Sequence, residues 1–430
     1  MITLYLSRYL VPVSSPALEQ GAIAVENGQI VALGPAATLE SRYPRSLRHD
    51  YGDAIVLPAF INAHTHLELS HYPQWAETAG EVSDSEDGFT DWILRLIRVR
   101  IDLGHDLERY RRSWRAGLQQ ALSTGTGQLG DILSTGDLAA EIATRLSGRC
   151  FVEVLGQNPG RVYHQLQQLE HCLASWPQAR WGAAPHSPYT LSLELLKQSY
   201  RQTTCKHIRT SIHLAESVDE VEFLANSRGP LAEQLYPFVG WQNYVPPPRH
   251  LRSLQILEQA GGLKADTLLV HGVHLNGKEI TKVAAAGCSM VLCPRSNARL
   301  NVGVAPAADY VRANVPLALG TDSLASNQSL SLWDEMDFAL DWFNGDLDPR
   351  QLLHMSTLGG ARALGIEKGG QLAVGAPATF QVLEPDSLPS LDQIYPFLCQ
   401  ARRSHEVKQV VVDGETRWCC NADEQEGDHA

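Results

Sequence analysis

The stretch IVLPAFINAHTHLELS, residues 55–70, begins as an apolar run and ends in two histidines, His64 and His66. The apolar half is typical of a buried β-strand. Side chains at positions i and i+2 of a strand point to the same side, so both imidazoles can face one point. Neutral imidazoles are good ligands for a divalent transition metal. Alone, such a pair is also compatible with structural histidines that bond a loop carbonyl.

Seven further apolar runs of strand length follow along the chain, and helical patterns come after several of them. This alternation predicts βα units around a parallel sheet. We therefore expect the α/β fold class and a (β/α)8 TIM barrel. The eight predicted strands are residues 56–64, 125–133, 150–156, 180–186, 209–215, 267–273, 289–295 and 316–322.

Both ends of the chain contain short β-like runs punctuated by turn residues. The dipeptides Asn27-Gly28 and Asp413-Gly414 are typical of tight β-hairpin turns. We expect residues 1–57 and 369–420 to form one small β-sandwich domain, with the barrel of residues 58–368 inserted between them. The acidic tail, residues 421–430, is predicted to be disordered.

Composition excludes several classes of partner. A formal net charge of −13 argues against a general nucleic-acid binder, and the sequence lacks the combined His-x-Glu and Pro-Cys-x-x-Cys signature of zinc deaminases that act on nucleic acids. No apolar run approaches the ~18 residues of a membrane span, and the N-terminus does not read as a signal peptide. We expect a cytoplasmic protein. The eight cysteines show no Cys-x-x-Cys spacing, which indicates free thiols.

Polar residues stand at the ends of the predicted strands, where barrel enzymes carry their chemistry. Three histidines and one carboxylate there would form a catalytic metal shell that leaves a position for water. Alternative readings exist: Asp322 could cap the next helix, Glu216 could be a first-turn acid, and His274 reads as a loop histidine. The strand-end residues are His64, His66, His186, His213, His271 and Asp322, with Glu216 three residues after His213.

The segments NAHTHLELS, APHSPYTLS, IHLAES, VHGVHL, CPRSN and LALGTDSLASN, in this order, resemble the deaminase and chlorohydrolase branch of the amidohydrolase superfamily. The resemblance implies a hydrolase acting on C–N bonds of cyclic amidines. It also assigns roles to residues: His64, His66, His213 and Asp322 match the metal ligands, Glu216 the proton shuttle, and His271 the histidine that orients the attacking water. By the same resemblance, His186, Ser296 and Asn297 belong to substrate binding.

The resemblance also bears on the number of metal ions. Two-metal members of the superfamily bridge their ions with a carboxylated lysine ahead of the third histidine. The first lysine of this chain is Lys197, beyond His186. One divalent metal is therefore expected, Zn²⁺ in the first place and Fe²⁺ as the alternative.

The segment EDGFTDWILRLIRVR, residues 86–100, bears on the substrate. Arg98 and Arg100 are either the solvated side of an amphipathic helix or partners for a substrate carboxylate, and Trp92 joins them as a substrate-binding candidate. These details most resemble the aminodeoxyfutalosine deaminases of menaquinone biosynthesis, whose substrate is an adenine nucleoside carrying a carboxyphenyl group. The alternatives are a methylthioadenosine or S-adenosylhomocysteine deaminase, a guanine or triazine hydrolase, and an inactive binding protein. The family also makes a homodimer plausible.

Overall fold

Two hydrogen-bonded sheets organise the chain in the computed structural model, which describes residues 1–82, 88–104, 106–134, 136–138, 142, 145–175 and 180–420. One sheet contains strands from both chain ends, and the other contains the strands between them. The tail 421–430 and residues 86–87 of the predicted substrate segment lie outside the described residues.

The terminal sheet is mixed. Its order is β16-β15-β14-β5-β1-β2-β3, with β4 paired to β1. The strands are β1 (Thr3–Leu10), β2 (Leu18–Glu26), β3 (Gln29–Pro35), β4 (Leu47–Asp50), β5 (Ile55–Pro58), β14 (Phe380–Leu383), β15 (Val407–Val412) and β16 (Glu415–Cys419).

Both predicted hairpin turns are confirmed, and they contact each other. Asn27-Gly28 joins β2 to β3 and Asp413-Gly414 joins β15 to β16, all four residues having positive φ. A Cβ atom on Gly28 would lie 2.4 Å from the Asp413 carbonyl oxygen, so this close approach requires glycine. The two ends of the chain are therefore joined at their turns.

The second sheet has eight parallel strands in sequential order, which confirms the predicted barrel. Its inward and outward residues are almost all buried, as expected when helices cover a parallel sheet. The strands are β6 (Phe60–Thr65), β7 (Thr126–Leu133), β8 (Gly148–Val154), β9 (Trp181–Pro185), β10 (Arg209–Leu214), β11 (Thr267–His271), β12 (Ser289–Leu292) and β13 (Leu317–Leu319).

Helices lie between the strands of both sheets, and none in the described part of the chain has both the length and the apolar character needed to cross a bilayer. Side-chain caps begin several of them, such as Ser192, whose hydroxyl accepts the Leu195 N–H (3.2 Å). The helices are Ala36–Arg42, Tyr72–Thr78, Phe89–Leu103, Leu107–Ser123, Val162–Ser175, Leu193–Cys205, Val218–Asn226, Tyr236–Phe238, Ser253–Gln259, Gly277–Ala286, Pro294–Arg299, Ala307–Arg312, Leu332–Trp342, Pro349–His354, Gly360–Leu364 and Ile394–Leu398.

The prediction of one strand over residues 56–64 is wrong, because that run contains two strands in different sheets. β5 ends at Pro58 and pairs with β1 and β14. After Ala59 the chain enters β6, where the Phe60 N–H bonds the Gly125 carbonyl (2.9 Å). The histidine pair is thus anchored directly to both sheets.

The barrel closes between β6 and the segment after β13. The Asp322 N–H donates to the His64 carbonyl (3.1 Å), and the Thr65 hydroxyl donates to the Asp322 carbonyl (2.9 Å). Asn62 donates to the Thr321 hydroxyl (2.7 Å) and accepts the Thr321 N–H (3.2 Å). These bonds fix the register of the first and last strands at the histidine pair.

Replacing Asn62 tests this closure. Asn62→Ala leaves the buried Thr321 N–H without its acceptor and removes one partner of the Thr321 hydroxyl, which still donates to the Asp322 carbonyl (3.3 Å). We therefore expect the free energy of unfolding to fall by about 1–3 kcal/mol in chemical denaturation. The control is Gln198→Ala, which removes an exposed amide bonded to Glu194 and should change stability by less than about 0.5 kcal/mol. Equal losses in both variants would contradict the role of Asn62.

Candidate active site

The predicted strand-end residues meet at one end of the barrel. Each lies on or immediately after a different strand's carboxyl end, apart from the His64 and His66 pair, as the parallel arrangement requires. His64 lies on β6, His213 on β10 and His271 on β11, whereas His66, His186 and Asp322 follow β6, β9 and β13.

His64, His66 and His213 form a cluster that can hold a metal ion. One ring nitrogen of each lies within 4.8 Å of the others. Asp322 Oδ1 lies 3.6 Å from Nε2 of both His64 and His66. Both ring nitrogens of His64 are buried and make no hydrogen bond to the described residues. Orphaned imidazole nitrogens beside a carboxylate are a donor set suited to a divalent metal.

The electrostatics of the cluster favour the ligand forms of these groups. Burial, and then neighbouring His64, lower the pKa of His66 to about 3, and burial lowers the pKa of His213 well below its usual value. Burial opposes ionisation of Asp322, but the His64 and His66 imidazoles outweigh it and hold its pKa well below the usual range. Neutral imidazoles and an ionised carboxylate are the forms that bind metals.

Hydrogen bonds orient His213 and Asp322, the two candidate ligands outside the pair His64 and His66. His213 Nδ1 donates to the His186 carbonyl (2.9 Å), which leaves Nε2 free to face the cluster. Asp322 Oδ2 accepts the hydroxyls of Ser296 and Ser326, each at 2.7 Å. The other oxygen, Oδ1, therefore faces the histidines.

Glu216 and His271 lie beside this cluster, and both are buried. His271 Nδ1 donates to Asn297 Oδ1 (2.9 Å), and its Nε2 lies 3.5 Å from Glu216 Oε1. Burial lowers the pKa of His271 to about 4. Burial, and next the carboxylates of Asp322 and Glu220, raise the pKa of Glu216 well above its usual range. A carboxyl group with a raised pKa can carry a proton at neutral pH and deliver it.

Glu220 fixes the backbone that carries Glu216, a role that the sequence reading missed. Its two carboxylate oxygens accept the N–H groups of Ala215 and Glu216, both at 2.9 Å. Ala215 has φ 52°, a strained conformation for a residue with a Cβ atom. The spacing Ser217-x-x-Glu220 suggests a capping box, but the Glu220 carboxylate reaches past Ser217 to this turn.

The cluster opens into a cavity of about 260 Å³. One wall consists of apolar side chains, including Phe89, Trp92, Ile93, Leu96, Val239 and Trp241. The Trp92 indole N–H donates to the Ala325 carbonyl (2.9 Å), which fastens the helix Phe89–Leu103 to the loop that follows Asp322. This arrangement fits a flat aromatic ligand whose reacting end meets the histidines.

The structure places only part of the predicted substrate-binding set at the cavity. His186, Trp92 and Arg100 line it. Arg98 does not: it pairs with Glu81 through two bonds of 2.9 and 3.1 Å in a separate cleft. The helix turns ~200° between positions 98 and 100, so their side chains face different sides.

Ser296 and Asn297 also differ from the expectation. Both are buried behind the site, where Ser296 contacts Asp322 and Asn297 contacts His271. Neither lines the cavity. Their hydrogen bonds orient Asp322 and His271 from behind the cavity lining.

Two buried carboxylates of the cavity wall, Glu68 and Glu153, were not predicted. Glu153 interrupts the apolar run CFVEVLG on β8. A charge inside an otherwise apolar strand was the available signal, because burial of a carboxylate is costly without a role. Glu68 gave no comparable signal beyond its place after the histidine pair.

A sequence model described as the amidohydrolase family matches residues 55–417. The chain belongs to the amidohydrolase family. Among its relatives, the aminodeoxyfutalosine deaminase of Deinococcus radiodurans is 31% identical over 361 residues, covering 80% of this chain and 81% of the relative. The 5-methylthioadenosine/S-adenosylhomocysteine deaminase of Syntrophobacter fumaroxidans is 29% identical over 415 residues, covering 92% and 87%.

Solved amidohydrolase structures have the same fold. The aminofutalosine deaminase of Helicobacter pylori, in complex with methylthio-coformycin, superposes with a TM-score of 0.83 at 22% identity, covering 96% of this chain and 99% of that one. An adenosine deaminase from Xanthomonas campestris with bound zinc gives 0.78 at 25% identity, covering 97% and 93%. Zinc is thus the metal bound in that adenosine deaminase.

The two hydrogen bonds that Glu220 accepts from the Ala215 and Glu216 N–H groups give a direct prediction. Glu220→Gln replaces one acceptor with an amide N–H that faces a backbone N–H, so the Glu216 turn should shift. We expect turnover to fall at least about 10-fold, with metal content unchanged because His213 lies on β10. The control is Glu222→Gln, an exposed residue of the same helix, which should retain normal turnover. Metal loss in Glu220→Gln would contradict a role confined to Glu216.

Proposed function

We propose that this amidohydrolase is a metal-dependent hydrolytic deaminase of an adenine nucleoside, and that its substrate is 6-amino-6-deoxyfutalosine, converted to futalosine and ammonia. The observation that carries the reaction class is the position of Glu216. Its buried carboxyl, with a raised pKa, lies beside neutral His271 and lines the cavity together with His66, His213 and Asp322. A deaminase needs this proton donor, since ammonia leaves far more readily than amide ion.

His64, His66, His213 and Asp322 would hold one divalent metal, Zn²⁺ in the first place and Fe²⁺ as the alternative. Bound there, the ion supplies a Lewis acid that makes water nucleophilic near neutral pH. Every other step falls to side chains of the chain itself.

Asp322 is placed to take the proton of the attacking water as its oxygen bonds to the ring carbon that bears the amine. Glu216 protonates the adjacent ring nitrogen, so that no charge builds up on the ring. His271 Nε2, an acceptor because Nδ1 donates to Asn297, orients the water. A proton then moves to the amine, the C–N bond breaks, and ammonia leaves as the carbonyl forms.

The apolar wall supports the proposed substrate. Phe89, Trp92 and Trp241 offer aromatic faces to a ring system beyond the purine. Relatives named aminodeoxyfutalosine deaminase, at 31% and 29% identity, add to this support. The resemblance to these enzymes is also our reason for assigning the reaction to menaquinone synthesis in the cytoplasm and for proposing a homodimer.

A second candidate is deamination of methylthioadenosine or S-adenosylhomocysteine. Relatives with that name align over a larger share of this chain, 92% in the Syntrophobacter fumaroxidans enzyme. The same apolar wall would take a thioether substituent. The reaction chemistry is unchanged, so only substrate comparison separates the two candidates.

Two variants test the assignment of roles. His213→Ala should lose both metal and activity, because it removes a ligand. Glu216→Gln should keep metal and lose turnover by at least about 100-fold, as expected for a general acid. Metal analysis of purified protein, with ammonia release as the activity readout, measures both. Near-normal kcat in Glu216→Gln would contradict the proton-donor role.

Substrate choice is tested by kcat/KM for aminodeoxyfutalosine, methylthioadenosine, S-adenosylhomocysteine, adenosine and guanine. We expect aminodeoxyfutalosine to lead by at least about 10-fold. Arg100→Met removes the cation beside Glu68 at the cavity wall, so it should lower this kcat/KM about 10-fold or more. Arg98→Met, two positions away and outside the cavity, should leave it unchanged. A higher kcat/KM for methylthioadenosine would favour the second candidate. If metal-loaded protein turned over none of these purines, purine deamination would be excluded.

A further inference from the structure

A second polar group, formed by Glu68, Arg100 and Glu153, lines the same cavity as Glu216. Glu68 follows β6, the first barrel strand, and Glu153 lies on β8, the third. Glu216 follows β10, the fifth. The first and fifth strands of an eight-stranded barrel lie on opposite sides of its axis, so Glu68 lies across the cavity from Glu216, whereas Glu153 lies a quarter turn from both.

Glu153 has unused hydrogen-bonding capacity. Its side chain is only 9% exposed, and the His186 Nε2 atom lies 4.0 Å from Oε1. No residue that the structure describes donates a hydrogen bond to this carboxylate. Glu68, in contrast, accepts the Ser134 N–H (3.2 Å). A buried carboxylate without a donor is costly, and this one opens onto the cavity, where a ligand can supply the donor.

The charge of Arg100 is already balanced. Its guanidinium donates to the Ser134 hydroxyl (2.8 Å) and the Tyr110 hydroxyl (3.2 Å), and lies 4.0 Å from Glu68 Oε1. A substrate carboxylate at this wall would face Glu68 and Glu153 together. A neutral hydroxyl avoids that repulsion and donates where a donor is missing.

The position of Glu153 indicates which part of the substrate it would contact. The His186 ring lies between Glu153 and the metal cluster, with its centroid 4.7 Å from that of His213. Glu153 is therefore one imidazole away from the reacting end of the cavity. In an adenine ring system, N9 lies at the far end from N1, so a purine with N1 at Glu216 directs its sugar away from Glu216, toward the part of the cavity lined by Glu68 and Glu153.

We propose that Glu153, together with Glu68, accepts hydrogen bonds from the vicinal hydroxyl groups of the nucleoside sugar. Arg100 acts as a positioning residue that keeps the two carboxylates at one wall. The inference rests on the proposed function, because it takes Glu216 to orient the purine. It also directs a carboxylate on the distal substituent away from Arg100, toward the cavity mouth.

The experiment compares adenosine with 2′-deoxyadenosine and 3′-deoxyadenosine in wild type, Glu153→Leu and Arg98→Met. Leucine fills the site without an acceptor, and Arg98→Met is the control outside the cavity. We measure kcat/KM and, against the preferred nucleoside, competitive inhibition constants. Wild type and Arg98→Met should favour adenosine over at least one deoxy analogue by about 10-fold or more. In Glu153→Leu this ratio should fall toward one, with metal content and deoxyadenosine turnover retained.

Other results overturn the proposal in distinct ways. If Glu153→Leu keeps the wild-type ratio, Glu153 does not bind the sugar, although deamination stands. If Glu153→Leu weakens only S-adenosylhomocysteine and leaves the adenosine ratios unchanged, the wall binds an ammonium group instead. If metal-loaded wild type neither deaminates nor binds any nucleoside, the proposed function itself fails and the sugar site fails with it.

Discussion

The hydrogen bond from the Asp322 N–H to the His64 carbonyl, 3.1 Å long, closes the barrel and brings two candidate metal ligands together. Because closure and ligand placement use the same backbone atoms, neither can shift alone. Gly320 allows this approach: a Cβ atom there would lie 2.9 Å from the His64 carbonyl oxygen. Asp322 adopts φ 58°, a strained conformation that the surrounding hydrogen bonds maintain.

Around this closure, buried polar groups form hydrogen bonds with one another, which offsets the cost of burying them. Ser296 and Ser326 satisfy one oxygen of Asp322, and Asn297 satisfies one nitrogen of His271. Glu220 satisfies the backbone N–H groups of Ala215 and Glu216. These bonds leave Asp322 Oδ1 directed at the histidines and His271 Nε2 directed at Glu216. Preorganisation of this kind lets the residues act without rearranging during the reaction.

Periodicity and strand counting were enough to predict the barrel and to gather His64, His213 and Asp322 at one end, because parallel strands place their carboxyl ends together. Other features depend on information that local patterns lack. The phase of the helix Phe89–Leu103 separates Arg100 from Arg98. After Pro58 the chain passes from the terminal sheet to the barrel. To predict this change, one must know that β14 pairs with the other side of β5. The roles of the site residues as metal ligands and acids stay predictions from the resemblance, supported by their geometry.

The terminal sheet has a consequence for how the chain is made. β5 pairs with β1 on one side and with β14 on the other, and in the described residues β15 and β16 are the strands that follow β14. During synthesis the whole barrel therefore emerges before the last partners of the N-terminal strands do. Until then one edge of β5 stays open, and open strand edges are where chains associate wrongly. Pairing of β14 with β5 is thus the event that completes this part of the sheet, so truncation near residue 380 should harm solubility more than its distance from the cavity suggests.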